Sequence, residues 1–390
     1  MWDNRAVQIT ENSAHYPKTL INSLGGGIFP ESFYRSLNNL QKRGMINWIK
    51  EHGGPNSPSG LVSIARKKVL CVDCDSKIPN LALLKISAFH KQQGHDVTLQ
   101  RGLKIANNKE KYDFVYMSCI FTKNRSEARK LCNKLSKQFP DAEMHIGGAG
   151  ISLSTTLPDD IESLMPDYDL YPEMNYSLGY SSRGCSRNCG FCFVPKMKWE
   201  GKPHAVGDIY KFYNPRFRKM VLLDNNIFSV PHDHFKRIGR QIIKEKIDVN
   251  FTTGLDIKFL DDEKAKLLKK MHISQPRFAW DDIRDEHMVM RGIEVLRQNG
   301  IKRSLFYVLV GFNSTLEEDL YRLEKLKAVG QRAYVMRYET VRGEPEYNYL
   351  AAWANQPRMF ETMTFEVFKA KSKLREEGRK DVTAERSYSS

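Results

Sequence analysis

Nothing in the 390-residue chain is apolar for long enough to cross a bilayer. Phe306–Val310 is among the longest apolar runs, whereas a spanning helix needs about 20 such residues. No apolar core follows Met1-Trp2-Asp3-Asn4-Arg5, so no signal peptide and no membrane partner are expected. Internal repeats are absent. Cysteine is scarce: there are 7, an odd number without a secretory context, which argues against a disulfide framework. None follows Cys192, and the next histidine is His204. The second Cys or His pair of a structural zinc site is therefore missing. A reducing, cytoplasmic location is the expectation.

The composition, 41% hydrophobic and 27% charged, is that of a globular protein with ample material for cores, and the length implies two domains or more. The formal net charge of +15 favours polyanionic partners such as nucleic acid. Lysines and arginines are nevertheless spread along the chain and mixed with acids, as in residues 264–270 and 371–380, so a generally basic solvated surface is an equal reading. The densest local patch, Lys211-Phe212-Tyr213-Asn214-Pro215-Arg216-Phe217-Arg218-Lys219, has two readings. Its aromatics can stack bases while its cations hold phosphates, or they can seat the loop on the rest of the domain.

Residues 1–66 form an unassigned extension. Within it, Phe33, Leu37, Leu40 and Met45 or Ile46 recur at near-helical spacing, and residues 53–60 read as a linker or ordered loop. From Lys67 strands and helices alternate. Strands are expected at Val69–Val72, Asp96–Leu99, Asp113–Ile120, Met144–Ile146 and Asp167–Tyr171. Helices are expected through Leu81, Leu84, Ala88 and Phe89, and through Ala128, Leu131 and Leu135. Repeated strand–helix units imply a doubly wound parallel sheet over residues 67–171. A second series of six strands follows at Tyr176–Tyr180, Met220–Leu223, Val249–Thr253, Arg277–Trp280, Leu305–Val310 and Ala333–Arg337, with helices between. It defines a domain over 172–341, followed by a helical segment over 342–390.

Between the first two strands of the second series lies Gly184-Cys185-Ser186-Arg187-Asn188-Cys189-Gly190-Phe191-Cys192. Thiolate is a soft ligand suited to iron–sulfur clusters, and three thiolates on one loop can hold three irons of a [4Fe–4S] cube, leaving the fourth open. In these residues the chain resembles the radical S-adenosylmethionine (radical SAM) superfamily, whose motif is Cys-x-x-x-Cys-x-aromatic-Cys, with Phe191 in the aromatic place. The resemblance implies a partial (β/α)6 TIM-like barrel, a [4Fe–4S] cluster on Cys185, Cys189 and Cys192, and S-adenosylmethionine on the open iron. It also implies reductive cleavage to a 5′-deoxyadenosyl radical that abstracts hydrogen from a substrate, and an electron donor such as flavodoxin or ferredoxin.

In sheets of this kind chemistry sits at the strand carboxyl ends, which selects the remaining candidates. Asp224, Asn225 and Asn226 follow the second strand, where the family has a Gly-Gly-Glu-like stretch for the SAM amino group. Asp256 follows the third, Asp281 the fourth, and Gly311 the fifth at the family's adenine-side motif. Arg337 and Tyr338 end the sixth. Asp224, Asn225, Asn226, Asp256 and Gly311 are expected to bind the cofactor. Asp281, Arg337 and Tyr338 are expected to face the reaction.

The upstream domain looks like the cobalamin-binding domain of many radical SAM enzymes. The family's Asp-x-His-x-x-Gly place, however, reads Asp73-Cys74-Asp75-Ser76-Lys77-Ile78, so the likeness extends to fold and cobalamin is not expected. Cys74 and Cys119 both follow strands and can converge at one sheet edge, but no third ligand for a second cluster accompanies them. Cys71 and Cys132 read as core residues. Modification of a nucleic acid is the favoured use of the radical. Modification of a peptide or small metabolite is the alternative within enzymes, and a non-catalytic nucleic-acid-binding protein with a structural metal site is the alternative outside them.

Overall fold

The structure, a computed structural model, describes residues 46–50, 60–64, 66–104, 110–197 and 200–375. The chain divides into two compact units, Met1–Ile151 and Ser152–Ser390; the division drawn from the sequence lay at 171/172.

In the first unit, β1 (Ile46–Lys50) and β2 (Gly60–Ile64) form an antiparallel pair. Ile46 thus opens a strand and does not end a helix; Phe33, Leu37 and Leu40 lie outside the described residues. A four-stranded parallel sheet follows, with β3 (Lys68–Asp73), β4 (Asp96–Arg101), β5 (Phe114–Ser118) and β6 (Glu143–Gly147) in the spatial order β4-β3-β5-β6. Helix α1 (Leu81–Gln92) connects β3 to β4. Asn80 caps it, its side chain accepting from Leu83 N, and the chain turns out of it at Gly94 with φ +79°, a conformation glycine adopts freely. Helix α2 (Arg125–Gln138) connects β5 to β6.

Side chains alternate across a strand, and the two helices take opposite faces of this sheet. Leu70, Val72, Val115 and Met117 share a core with Ala128, Leu131 and Leu135 of α2. On the other face, His90 of α1 meets the rings of Phe114 and Tyr116 at 4.9 and 5.2 Å.

The second unit opens with a short helix, α3 (Asp159–Glu162). Residues Asp167–Tyr171, expected as a strand, instead make a 3-10 turn, Tyr168–Leu170. The alternation of polar and apolar residues there arises because the Asp167 side chain caps the turn while Tyr168, Leu170 and Tyr171 are buried. The Tyr168 hydroxyl accepts from Leu178 N at 3.0 Å and lies in hydrogen-bond contact with Phe212 O, which ties the turn to the first strand.

That strand is β7 (Ser177–Gly179), followed by the two-residue antiparallel pair β8 (Ser182–Arg183) and β9 (His204–Ala205). Then come β10 (Lys219–Leu222), α4 (His232–Lys244), β11 (Asp248–Phe251), α5 (Asp262–Lys270), β12 (Arg277–Ala279), α6 (Glu286–Gln298), β13 (Leu305–Val310), α7 (Leu316–Ala328) and β14 (Arg332–Arg337). Helices α8 (Pro345–Ala354) and α9 (Pro357–Thr362) follow, and a further helix occupies residues 365–375.

The parallel strands form two three-stranded sheets, β7-β10-β11 and β12-β13-β14. An isolated parallel bridge, Leu255 to Phe278, joins them, with Leu255 N donating to Arg277 O at 2.7 Å. One face of the second sheet, carrying Phe278, Phe306, Val308 and Val335, is sealed in a continuous core with Ile293, Leu296, Leu323 and Leu326 from the helices. Burying one such side chain is worth about 1.5–3 kcal/mol.

A fully buried ion pair lies within this core. Arg322 meets Asp319 one turn back on α7, and donates to Trp280 O at 2.6 Å and Leu309 O at 2.8 Å. Asp319 also accepts from Gly311 N at 2.8 Å. The pair therefore fixes the ends of β12 and β13 together.

Candidate functional site

The cysteine segment is a long loop whose ends are stitched by β8 and β9, Ser182 against Ala205 and Arg183 against His204. Glu200, 1% exposed, closes it a second time. One of its oxygens accepts from Arg183 at 2.8 Å and the other from Gly184 N at 2.9 Å. Arg183 also pairs with Glu162 at 2.9 Å and lies 3.9 Å over the Tyr180 ring. Gly184 has φ +82°, and a Cβ there would come within 2.6 Å of Glu200 O, so glycine is required where the loop leaves the strand. Neither Arg183 nor Glu200 was singled out from sequence: the pair spans sixteen intervening residues, and no local pattern marks it.

Behind the loop, Asp224 at the end of β10 takes four hydrogen bonds from Ser181 and Ser182. Their two amides lie at 3.0 and 2.6 Å and their two hydroxyls at 2.6 and 2.5 Å. Its acceptor capacity is thereby filled by the chain. Burial pushes its carboxyl above the usual range, while these donors oppose the shift. The network continues to α4. Arg237 donates to His234 Nδ1 at 3.0 Å, and His234 Nε2 lies 3.2 Å from Ser181 Oγ. A guanidinium only donates, so the imidazole is neutral with its proton on Nε2. Burial, reinforced by Arg237, holds its pKa down to about 4.

Asn225 Oδ1 accepts from Gly184 N at 2.9 Å. Asn226, 4% exposed, donates to Cys185 Sγ at 3.4 Å and to Asp256 Oδ2 at 3.3 Å. Its Oδ1 is buried with no hydrogen-bond partner among the described residues. From within the motif, Arg187 reaches Asp256 at 3.5 Å and Asp285 at 3.7 Å, and its backbone N donates to Cys185 Sγ at 3.4 Å. Lys258 also pairs with Asp285. Asp281 accepts from Leu309 N at 3.0 Å; burial raises its carboxyl above the ordinary range.

Phe191 packs edge-on against Phe312 at 5.3 Å, and Phe312 against Tyr338 at 4.8 Å. This aromatic file seats the motif on the ends of β13 and β14. Gly311, φ +73°, leaves room for Val341, which a Cβ would approach to 2.4 Å. Arg337 is turned outward to Asn348 of α8. The structure therefore gathers Cys185, Asn226, Arg187, Asp256 and Asp281 at adjacent strand ends, with Tyr338 joined through Phe312. Asp224 and Asn225 brace the loop from behind, and Arg337 stands apart.

The three motif thiols are half-buried and free. Burial pushes Cys189 and Cys192 above the ordinary thiol pKa. Arg187 opposes this at Cys189, and the charges of Cys185 and Cys189 are felt at Cys192. Among the described residues no three Cys, His, Asp or Glu side chains are gathered tightly enough to grip a single metal ion. The donor set nonetheless fits a thiolate-held cluster. Soft sulfurs receive N–H groups from Asn226 and Arg187, the kind of hydrogen bond that tunes such centres, and the unpaired Asn226 oxygen lies next to them.

In the first unit, Asp75 fills the corresponding strand-end position. Its carboxylate accepts from Ile120 N at 2.7 Å, Phe121 N at 3.0 Å and Asn124 at 2.9 Å. Cys74 and Cys119 are neighbours in the core, as their convergence at one edge implied. Burial first, and each other's proximity for Cys74, push them to about 12 and about 11. The basic aromatic patch turns its rings inward: Phe212 and Phe217 are buried, and Arg216 pairs with Asp169 at 2.7 Å. These rings seat the loop and are closed to stacking.

No family model matches the chain, and no curated protein matches it in sequence. No helix among the described residues is long and apolar enough to cross a membrane.

Proposed function

We propose that the chain is a radical SAM enzyme. In this reading the six parallel strands of the second unit form a partial (β/α)6 barrel, and the first unit is a Rossmann-like, doubly wound domain. The observation that carries the proposal is the three-cysteine loop at the strand carboxyl ends, clamped by Glu200 and supplied with N–H donors to sulfur by Asn226 and Arg187. When bound, a [4Fe–4S] cluster held by Cys185, Cys189 and Cys192 would supply the electron that cleaves S-adenosylmethionine to methionine and a 5′-deoxyadenosyl radical.

The chain's own groups have definable tasks. Asn226 orients Cys185 and offers its free Oδ1 to a donor on the cofactor. Asp256, held by Arg187 and Asn226, presents a carboxylate to hydroxyl or ammonium groups. Asp281, whose carboxyl burial raises, holds its proton to a higher pH than an exposed aspartate. Gly311 accommodates Val341 where a Cβ would stand, and so shapes this strand end indirectly. Asp224 acts at one remove, through Ser181 and Ser182. Asp75 satisfies the amides where a cofactor of the first unit would sit, which supports a reading without cobalamin. An external flavodoxin or ferredoxin would deliver the electron, and a nucleic acid is the favoured substrate.

The test is anaerobic purification and reconstitution. The protein should be brown, carry about four irons per chain, and form 5′-deoxyadenosine from S-adenosylmethionine under reductant. Alanine at Cys185, Cys189 or Cys192 should abolish both properties. A colourless protein with stoichiometric zinc and no cleavage would overturn the assignment in favour of a structural metal site.

A further inference from the structure

The motif loop turns one large apolar side chain outward. Phe193 is 53% exposed, and among the described large hydrophobic residues only Leu374, at 68%, is more so. It directly follows Cys192. The 3-10 turn Val194–Lys196 holds it there, with Lys196 N donating to Phe193 O at 2.9 Å. At the other end of the loop the backbone of Lys202 packs on Gly184, the residue before Cys185; a Cβ on Gly184 would come within 2.9 Å of Lys202 O. Lys196 and Lys202 are both exposed, and neither ammonium has an ion pair among the described residues. Between Gly184 and His204 the sequence has a single acid, Glu200, and it turns inward to Arg183 and Gly184 N. The positive charge of the loop surface is therefore not neutralised from within the loop.

We propose that this loop surface docks a small acidic electron-carrier protein, with Phe193 as the apolar contact and Lys196 and Lys202 steering the approach. In the step it serves, the carrier loses one electron and the cluster held by Cys185, Cys189 and Cys192 gains it; no bond forms or breaks in the chain. Three features select this occupant. The backbone joins Phe193 directly to a cluster ligand, a bonded path that conducts an electron. A partner resting on the ring stays outside that ligand, which suits a carrier and does not suit a substrate that must meet a radical. Encounters between redox proteins use small interfaces, for which one exposed ring flanked by charge is sufficient. Two unpaired cations beside it, with no exposed acid in the loop, attract an acidic partner and raise its association rate. The proposal rests on the radical SAM reading, and the test separates the two.

The test uses the full chain, reconstituted anaerobically, and an acidic flavodoxin carrying a fluorescent label, followed by anisotropy at low ionic strength. Phe193→Ala should weaken binding about 3- to 12-fold, the range for covering the exposed half of one phenylalanine side chain. It should also lower the rate of S-adenosylmethionine cleavage driven by reduced flavodoxin relative to the rate driven by dithionite, which needs no docking. Lys196→Glu and Lys202→Glu should slow association and flatten its dependence on salt. Oxidative footprinting of the parent chain is independent of how any variant folds: Phe193 should be modified in the free chain and protected by flavodoxin. Equal affinity of Phe193→Ala would overturn the proposal. So would a Phe193 already protected in the free chain, and association unaffected by either charge reversal would overturn the choice of an acidic partner. Protection by a single-stranded oligonucleotide with none by flavodoxin would overturn it in favour of a nucleic acid. Flavodoxin binding that depends on Phe193, in a chain that dithionite never drives to cleave S-adenosylmethionine, would leave the surface standing and remove the radical reading; dithionite-driven cleavage with Phe193-independent binding would do the reverse.

Discussion

Lowering the pH should loosen the second unit through His234. The imidazole is 5% exposed, accepts from Arg237 on Nδ1, and carries its only proton toward Ser181. A second proton has no acceptor and would face a guanidinium. The folded pKa of about 4 lies below the ordinary 6.5, so between those values the unfolded chain holds the extra proton. The stabilisation is complete above about pH 6.5 and is lost as pH falls toward 4. The loss amounts to about 3 kcal/mol at most, at about 1.4 kcal/mol per pH unit for one proton. Urea unfolding of the full chain at intervals between pH 7.5 and 4 measures the slope.

His234→Gln cannot take up a proton and should flatten that slope by about one proton in the transition of the second unit, at a cost of about 1 kcal/mol at pH 7 for the altered hydrogen bonds. His90 of the first unit, also held near 4, by burial first and then by the neighbouring His95, provides an internal control: His90→Gln should act on the other unit. An unchanged slope in His234→Gln, or an NMR titration of His234 near 6.5, would refute the reasoning.

Glu200→Ala should cost about 1.5–3 kcal/mol, because Arg183 loses one carboxylate partner and keeps Glu162. Hydrogen exchange should rise across residues 184–197, and unchanged protection there would count against the clamp. Gly311→Ala should lower the melting temperature, combining about 1–2 kcal/mol of left-handed strain with about 1–3 kcal/mol of crowding against Val341. Val341→Ala added to it should recover part of the crowding cost, and full additivity would argue against the contact. In the metal-free protein, iodoacetamide at pH 8 should label Cys185, Cys189 and Cys192 well before Cys74 and Cys119, whose thiols burial holds near 12 and 11. Equal rates by mass spectrometry would contradict the burial assigned to that pair.

The strands were legible wherever apolar residues run together between turn signals. Val69–Val72 and Leu305–Val310 fall within or coincide with observed strands, because a buried parallel strand writes an unbroken apolar segment. Asp167–Tyr171 carried a strand-like polar–apolar alternation for another reason: a side-chain cap and a tyrosine hydroxyl buried against Leu178. The pair β8–β9 was illegible because two residues leave no period to detect. Within the site, strand-end placement singled out Asn226, Asp256 and Asp281, which the structure sets at strand ends beside the motif. It could not distinguish Asp224, whose neighbours Ser181 and Ser182 lie more than forty positions earlier in the chain and saturate it. Nor could it find Glu200, whose partner is fixed only when the loop closes. Such pairings are set by tertiary folding, and no local propensity records them.

The charges sealed at positions 319 and 322 have a consequence for how this sequence can drift. Arg322 and Asp319 are both 0% exposed and hold Trp280 O, Leu309 O and Gly311 N between them. Losing either partner strands the other as a lone ion in the interior, whereas exchanging both together is tolerated only where the new pair also satisfies those three backbone groups. Any lineage leaving this arrangement must therefore cross an unfit single-step variant or change both codons at once. Descendants of a common ancestor should inherit the two positions as a unit.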